Sequence, residues 1–333
     1  FGDVCDIRKC ISCNIGCVGN RIGGNKPLRC TVNPDLINGE AYKKQKVNKP
    51  CNVVVVGAGT AGLEAACTAA EVGCHVTLLE KQDHVGGLSV EISRIPAKKR
   101  LADFPTYLKH RAESLENLTI KTGVDVTVDM IRSYSPDLVV NATGSVPLLP
   151  PIEGLHENLG KEDTGVYGIK DLMDDIPAFD KDMNGKRVIV IGAGAVGLDV
   201  VEFFAPRGAE TTIIEMMPVI GKGLDASTTS SMKECMKKHS VTQLVNTALL
   251  KVNPHSFTVK RDGQEEELPF DYGFVCLGMK AHAPLWNDIV EGFEGEDTEI
   301  LNIGDSVRAR RIIDGTDAGR HMVLATLDRL GYL

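Results

Sequence analysis

No stretch of this chain is apolar for long enough to cross a membrane, and no charged-then-apolar leader opens it. Both absences argue against a membrane partner. An excess of basic residues is missing too. Its 37 Lys and Arg stand against 45 Asp and Glu, and the net charge of −8 argues against nucleic acid as the main partner. Nor does the sequence begin with methionine: it opens abruptly at FGDVCDIRKC, and the expectation is a fragment or processed piece whose N-terminal partner is missing. What is present, 333 residues with 43% hydrophobic and 25% charged, reads as a globular chain of two domains.

A chain of this size does not need a disulfide scaffold, and its ten cysteines are unevenly placed. Cys51, Cys67, Cys74, Cys235 and Cys276 are scattered through apolar stretches, where a free cysteine acts as a small hydrophobe; a cytoplasmic, reducing setting suits them. The other five lie in residues 1–46, a Cys-, Gly- and Asn-rich stretch without periodicity that reads as a metal-organised segment. Cys10-x2-Cys13-x3-Cys17, with Cys30 further on, supplies four thiolates, which suit zinc or a [4Fe–4S] cluster. Structural zinc usually takes two C-x2-C pairs, and only one is here, so three close cysteines and one remote favour the cube. Lys9, Arg21 and Arg29 can offset its negative charge, and Cys5 reads as a bystander.

Past a basic link the sequence writes one unit twice, CNVVVVGAGTAGLEAACTAAEVGCHVTLLEK at 51–81 and KRVIVIGAGAVGLDVVEFFAPRGAETTIIEM at 186–216. Each is an apolar run, a Gly-rich turn, a helix-period stretch and a second apolar run ending in Glu, the pattern of a strand–helix–strand dinucleotide unit. In the first, Gly57 permits the tight turn, Gly59 lets a pyrophosphate approach, Gly62 allows close helix–strand contact, and Glu80 can accept ribose hydroxyls. Gly192, Gly194, Gly197 and Glu215 repeat this. Met216 and Met217 follow Glu215 where a 2′-phosphate site more often carries Arg, which favours NADH over NADPH. Thr143-Gly144 and Gly304-Asp305 each end a strand, and Asp305 could hold a ribityl hydroxyl of a flavin. The fold expected is α/β, with two nested Rossmann-like domains: 1–46 the cluster segment, 47–150 with 285–333 the flavin domain, and 151–284 the nicotinamide domain inserted in it. No cysteine follows Glu80 in KQDHVGGLSVEISRIPAKK, so the redox dithiol of disulfide reductases is missing there.

In order, CISCNIGC, CTVNP, VVVVGAGTAGLEAA, HVGG, NATGSVP, VIGAGAVGLD and NIGD resemble the C-terminal half of the iron–sulfur flavoenzymes of the old yellow enzyme family. These include 2,4-dienoyl-CoA reductase, trimethylamine dehydrogenase, enoate reductases and bile-acid oxidoreductases. The resemblance implies that Cys10, Cys13, Cys17 and Cys30 ligate the cluster. It also implies that Gly57, Gly59, Gly62, Glu80, Lys81, Gly87, Val126, Thr143, Gly144, Gly304 and Asp305 meet FAD, and that Gly192, Gly194, Gly197 and Glu215 meet NADH. Leu88 departs from the glutamine often found there. The partner implied is an N-terminal TIM barrel carrying FMN, where a small-molecule substrate is reduced; self-association into a homo-oligomer is compatible with it. No acid–base catalytic residue is assigned. The rival readings are a free-standing NADH:acceptor reductase resembling the small subunit of glutamate synthase, and a zinc-binding structural protein with degenerate nucleotide folds.

Overall fold

Runs of valine, isoleucine and leucine bounded by Gly turns become parallel strands, buried on both faces. The computed structural model describes residues 4–38 and 45–333. They divide into two compact units. The first takes the described residues up to Ser93, with Lys98–Val146 and Lys280–Leu333, and the second takes Arg94–Ala97 and Pro147–Met279. The expected crossings were at 150 and 285. The chain crosses somewhat earlier in both places, at a two-stranded ribbon formed by Ser145–Pro147 and Met279–Ala281. The Cys-rich stretch belongs to the first unit and is not a separate body.

In the first unit five parallel strands run in the order Glu299–Asn302, Leu138–Asn141, Asn52–Val56, His75–Leu79, Leu118–Lys121. The second unit repeats the plan with Val166–Tyr167, Tyr272–Val275, Arg187–Ile191, Glu210–Ile214 and Thr242–Leu244. A three-stranded antiparallel sheet accompanies it, with a tight turn at Asp262 (φ 50°) and Gly263 (φ 82°), where the Asp-Gly pair predicts a hairpin. The closing helical stretch, Ile312–Arg329, is α-helical at both ends and passes through a π-type turn at Ala318–Met322. Within residues 4–38 the chain forms only short turns of helix, Val4–Asp6, Ile15–Gly23 and Asp35–Asn38.

Helix Thr60–Glu71 of the first unit carries two acids, and these meet a charge cluster. Glu64 is fully buried and accepts from Arg111 Nη1 at 2.9 Å. Glu71 accepts a two-pronged bond from Arg111 Nε and Nη2, at 2.6 and 2.8 Å, and a third from Arg320 Nη1 at 3.1 Å. Arg320 Nε reaches on to Asp35 Oδ1 at 2.9 Å. Further polar contacts hold the cysteine stretch on the same unit: Arg8 to the Tyr107 hydroxyl, Lys9 to Asp103, Arg29 to Asp317, and Arg100 to Ser12 Oγ. Lys9 and Arg29, read from sequence as counter-charges for a cluster, are thus engaged with carboxylates of the domain.

Candidate dinucleotide sites

At the carboxyl end of Asn52–Val56 the chain turns at Gly57 with φ 97°, a left-handed conformation that favours glycine. A Cβ on Gly57 would lie 2.4 Å from the Ala142 carbonyl, and one on Gly62 would lie 1.8 Å from the Gly57 carbonyl. The turn, the helix behind it and the neighbouring strand end therefore close on each other. At Gly59 a Cβ would meet nothing within 4 Å, so the one open glycine of the turn faces free space at the helix start. No side chain caps that helix, which leaves its first N–H groups and positive dipole end for an anion.

The acid at the end of the second strand shapes this turn. Glu80 Oε2 accepts from Ala58 N–H at 2.6 Å and Oε1 from Gln82 N–H at 2.8 Å. Gly86 N–H donates to the Ala58 carbonyl at 2.8 Å and Gly59 bridges to Gly86, which brings Gly87 against the turn. Around the rim, Ser145 Oγ donates to Asp305 Oδ2 at 3.0 Å and Arg310 N–H to Asp305 Oδ1 at 2.9 Å. Burial lifts the Asp305 carboxyl above the usual carboxylate range against those two bonds. Thr143 Oγ1 donates to the His282 carbonyl at 2.6 Å, Gly144 is left-handed with open space at its Cβ position, and Gly304 packs on Ala61. Five segments thus meet where strand order switches direction, between Asn52–Val56 and Leu138–Asn141, the place where such sheets bind ligands. Lys81 and Val126 fit less well. Lys81 is exposed and paired with Asp125, and the Val126 side chain is in the core with Val56 and Leu79.

The second unit repeats the glycine turn and the bonds of its acid. Gly192 has φ 93° and sits under the Cys276 carbonyl, a Cβ on Gly197 would lie 1.8 Å from the Gly192 carbonyl, and Gly194 is open. Glu215 Oε2 accepts from Ala193 N–H at 2.9 Å, Oε1 accepts from Met217 N–H at 2.8 Å, and Gly221 N–H donates to the Ala193 carbonyl at 2.8 Å. Met216 and Met217 are exposed beside Glu215, at 66% and 37%. Ser145, Gly221 and the backbone bonds of the two acids were not singled out from sequence. The offset between the two Gly turns points to Gly221, which matches Gly86.

The cysteines are less assembled. Arg29 N–H donates to the Gly16 carbonyl at 2.9 Å and the Cys13 Sγ lies 3.1 Å from Thr31 Oγ1, so the two Cys-bearing stretches run side by side. Cys10 and Cys17 are exposed, Cys13 and Cys30 half-buried, and all four are free thiols. Among the described residues, however, no three His, Cys, Asp or Glu side chains are gathered to hold a metal ion. The expected four-sulfur set is present as neighbouring stretches and not as a formed cage. Among those residues, too, no helix is long and apolar enough to cross a membrane.

Two dinucleotide turns in nested parallel-sheet units are the architecture of an NAD(P)H-dependent flavin oxidoreductase module. Residues 106–291 match the model for pyridine nucleotide-disulphide oxidoreductases, and residues 52–108 that for FAD-dependent oxidoreductases. The chain belongs to the pyridine nucleotide-disulphide oxidoreductase family, and with that family it shares FAD and nicotinamide dinucleotide binding. It is 34% identical to an NADH oxidase of Thermoanaerobacter brockii over 94% of this chain and 47% of that protein. A 2-naphthoyl-CoA reductase structure superimposes with TM-score 0.81 at 26% identity, over 98% of this chain and 46% of the other. The thioredoxin reductase of T. acidophilum shares the fold, with TM-score 0.63 at 20% identity, over 85% of this chain and 99% of its own. The chain spans about half the length of the curated relatives it matches, and it fits the FAD/NAD-binding half of the flavoenzymes named above.

Proposed function

We propose that this chain is the electron-input half of a longer NADH-dependent reductase. It would take a hydride from NADH at FAD and pass single electrons through a [4Fe–4S] cluster to FMN on a TIM barrel that reduces an unsaturated carbonyl compound. The observation that carries this reading is the repeated turn: the same carboxylate-shaped glycine loop occurs in both units of a chain whose cysteine stretch is packed on the first. FAD supplies the conversion from two-electron to one-electron transfer. The chain's own residues bind and orient. The helix start at Gly59 takes the pyrophosphate, Glu80 the ribose diol, and Asp305, held by Ser145 and Arg310, a ribityl hydroxyl. Gly194 and Glu215 do the same for NADH. Cys10, Cys13, Cys17 and Cys30 are a donor set suited to an iron–sulfur cube, and the left-handed backbone at Ser12, Asn14 and Asn25 lets their loop bend around one. The relative named as a 2-naphthoyl-CoA reductase supports an unsaturated acyl compound as the substrate class.

The metal reading is tested on anaerobically purified protein, with iron and acid-labile sulfide assayed together. About four of each per chain are expected. Cys13→Ser removes both, while Cys5→Ser leaves them. Stoichiometric zinc without sulfide would return the segment to a structural role.

The donor reading is tested at Glu215. A carboxylate accepting from a ribose diol contributes about 1.5–3 kcal/mol per bond, so NADH should be preferred over NADPH by at least roughly tenfold. Glu215→Ala lowers NADH-dependent flavin reduction by a similar factor, narrows the gap to NADPH, and leaves the flavin content unchanged. Equal use of the two donors by the unaltered chain would remove Glu215 as the selecting group.

A further inference from the structure

Neither glycine turn uses Cys51 or Cys74, yet the fold places them together. Pairing of the first two strands opens at Asn52 with His75, so Cys51 and Cys74 stand side by side immediately before it. His75 N–H donates to the Cys51 carbonyl at 2.8 Å, which holds the two cysteine-bearing backbones side by side. Both are buried, at 1% and 0% exposure, and both face the core that includes Tyr332. Neighbouring strands lie about 4.8 Å apart, within the range of roughly 4.4–6.8 Å that a disulfide spans between Cα atoms. No motif spacing announces this pair; it follows from strand register.

A small polar cluster around Tyr332 borders the core that holds the pair. The Tyr332 hydroxyl donates to Asp137 Oδ1 at 2.7 Å, and the other oxygen of Asp137 accepts from Asn52 N–H at 2.7 Å. Asn48 N–H donates to the Tyr332 carbonyl at 2.8 Å, and Lys49 Nζ sits 4.2 Å from the Tyr332 ring centre.

We propose that Cys51 and Cys74 form a latent cross-link, closed to a disulfide by a small hydroperoxide when the Tyr332 cluster opens. One sulfur attacks the peroxide, breaking the O–O bond and giving a sulfenic acid and water. The second sulfur then displaces the sulfenic oxygen, which leaves as a second water. In sum, two thiols and one hydrogen peroxide give one disulfide and two waters, and two electrons pass from sulfur to peroxide. The neighbouring Cys74 thiol, burial and the nearby Asp137 carboxylate push the Cys51 thiol upward, with Lys49 opposing. Because the thiolate is the reacting form, the buried pair reacts slowly and opening of the cluster sets the rate. The link would join the starts of the two parallel strands on either side of the helix that follows Gly57 and Gly59 and includes Gly62. It would lock that unit from its far end, away from the turn itself. Thiol–disulfide exchange with a reducing dithiol reopens such a bond, which makes the lock reversible.

The experiment is graded hydrogen peroxide on the folded chain, a quench with an alkylating agent, and peptide mapping without reductant. The expected product is a peptide pair linked through Cys51 and Cys74, lighter by two hydrogens and restored by dithiothreitol. It should be absent from Cys51→Ala and Cys74→Ala, and its formation should accompany a higher thermal midpoint. Tyr332→Ala forms it about tenfold faster or more, because local opening is no longer limiting. Cys67→Ala, which alters a buried thiol in the same unit, leaves it unchanged. The proposal fails if both thiols can still be alkylated after unfolding at a peroxide dose that oxidises the exposed Cys5. It also fails if the link forms only in the urea-unfolded chain, or at the same rate with and without Tyr332.

Discussion

Gly197→Val abolishes flavin reduction by NADH, a loss of roughly 100-fold or more, while FAD remains bound and dithionite still bleaches it. The reason is steric. Even a methyl at Gly197 would sit 1.8 Å from the Gly192 carbonyl, and a branched side chain forces helix Ala195–Phe204 away from its turn. The N–H groups at the helix start then no longer point where a pyrophosphate lies. Two bonds to a charged group, at about 1.5–3 kcal/mol each, convert to a loss of 10² to 10⁴ in binding. The matching change in the first unit, Gly62→Val, costs the flavin itself, so the two variants separate the two sites. Anaerobic absorbance of the flavin with NADH and with dithionite makes the distinction. An NADH rate within tenfold of the unaltered protein in Gly197→Val would falsify the assignment of the second unit as the donor site.

Arg111→Met destabilises the chain by about 3–5 kcal/mol, because it leaves Glu64 buried without its counter-charge. For a unit of this size that corresponds to a fall of roughly 10 °C or more in the thermal midpoint. Burial alone would weaken the Arg111 charge, but Glu64 and the bonds to Glu71 outweigh it and hold its pKa above the ordinary arginine value. The double variant Arg111→Met, Glu64→Leu removes both charges and regains much of the loss. Acid sensitivity should change as well. Burial opposes ionisation of Glu71, yet the Arg111 bond and the charges of Arg111 and Arg320 hold its carboxyl below the ordinary value of 4.5. A depressed carboxyl adds stability that is fully present above the ordinary value and is lost as pH falls through the lowered one. Arg111→Met flattens that acid limb. Midpoints measured from neutral pH down into the acid range read both effects, and a shift of less than about 1 kcal/mol would show that the cluster is dispensable.

The repeated strand–helix–strand was legible because each of its parts is local. A valine run, a glycine at a left-handed turn and an acid at the next strand end lie within one short stretch of sequence, and backbone physics fixes each. The insertion of one unit into the other followed from the order of strand-like runs, although the crossings came earlier than 150 and 285 because a ribbon pairs across them. What sequence did not reveal depends on register or on distant partners. Ser145 meets Asp305 only because two strand ends lie side by side, and Cys51 meets Cys74 only through the Asn52–His75 pairing. Lys9 and Arg29 looked like counter-charges for a metal because their neighbours in sequence are cysteines, whereas their partners in space are Asp103 and Asp317. Lys81 and Val126 likewise show partners that sequence did not announce: Asp125 for the one, and a core with Val56 and Leu79 for the other.

Because Glu80 and Glu215 already grip the backbone of their own loops, the hollow left by a departed cofactor keeps its outline. A vacated chain is then closer to an empty mould than to a collapsed one. Recharging it calls for diffusion and docking of the dinucleotide, without refolding of the loop that receives it. Stripping and reloading flavin in the intact protein is therefore a cycle of exchange, and its yield is limited by how well the rest of the first unit stays folded while the hollow stands open.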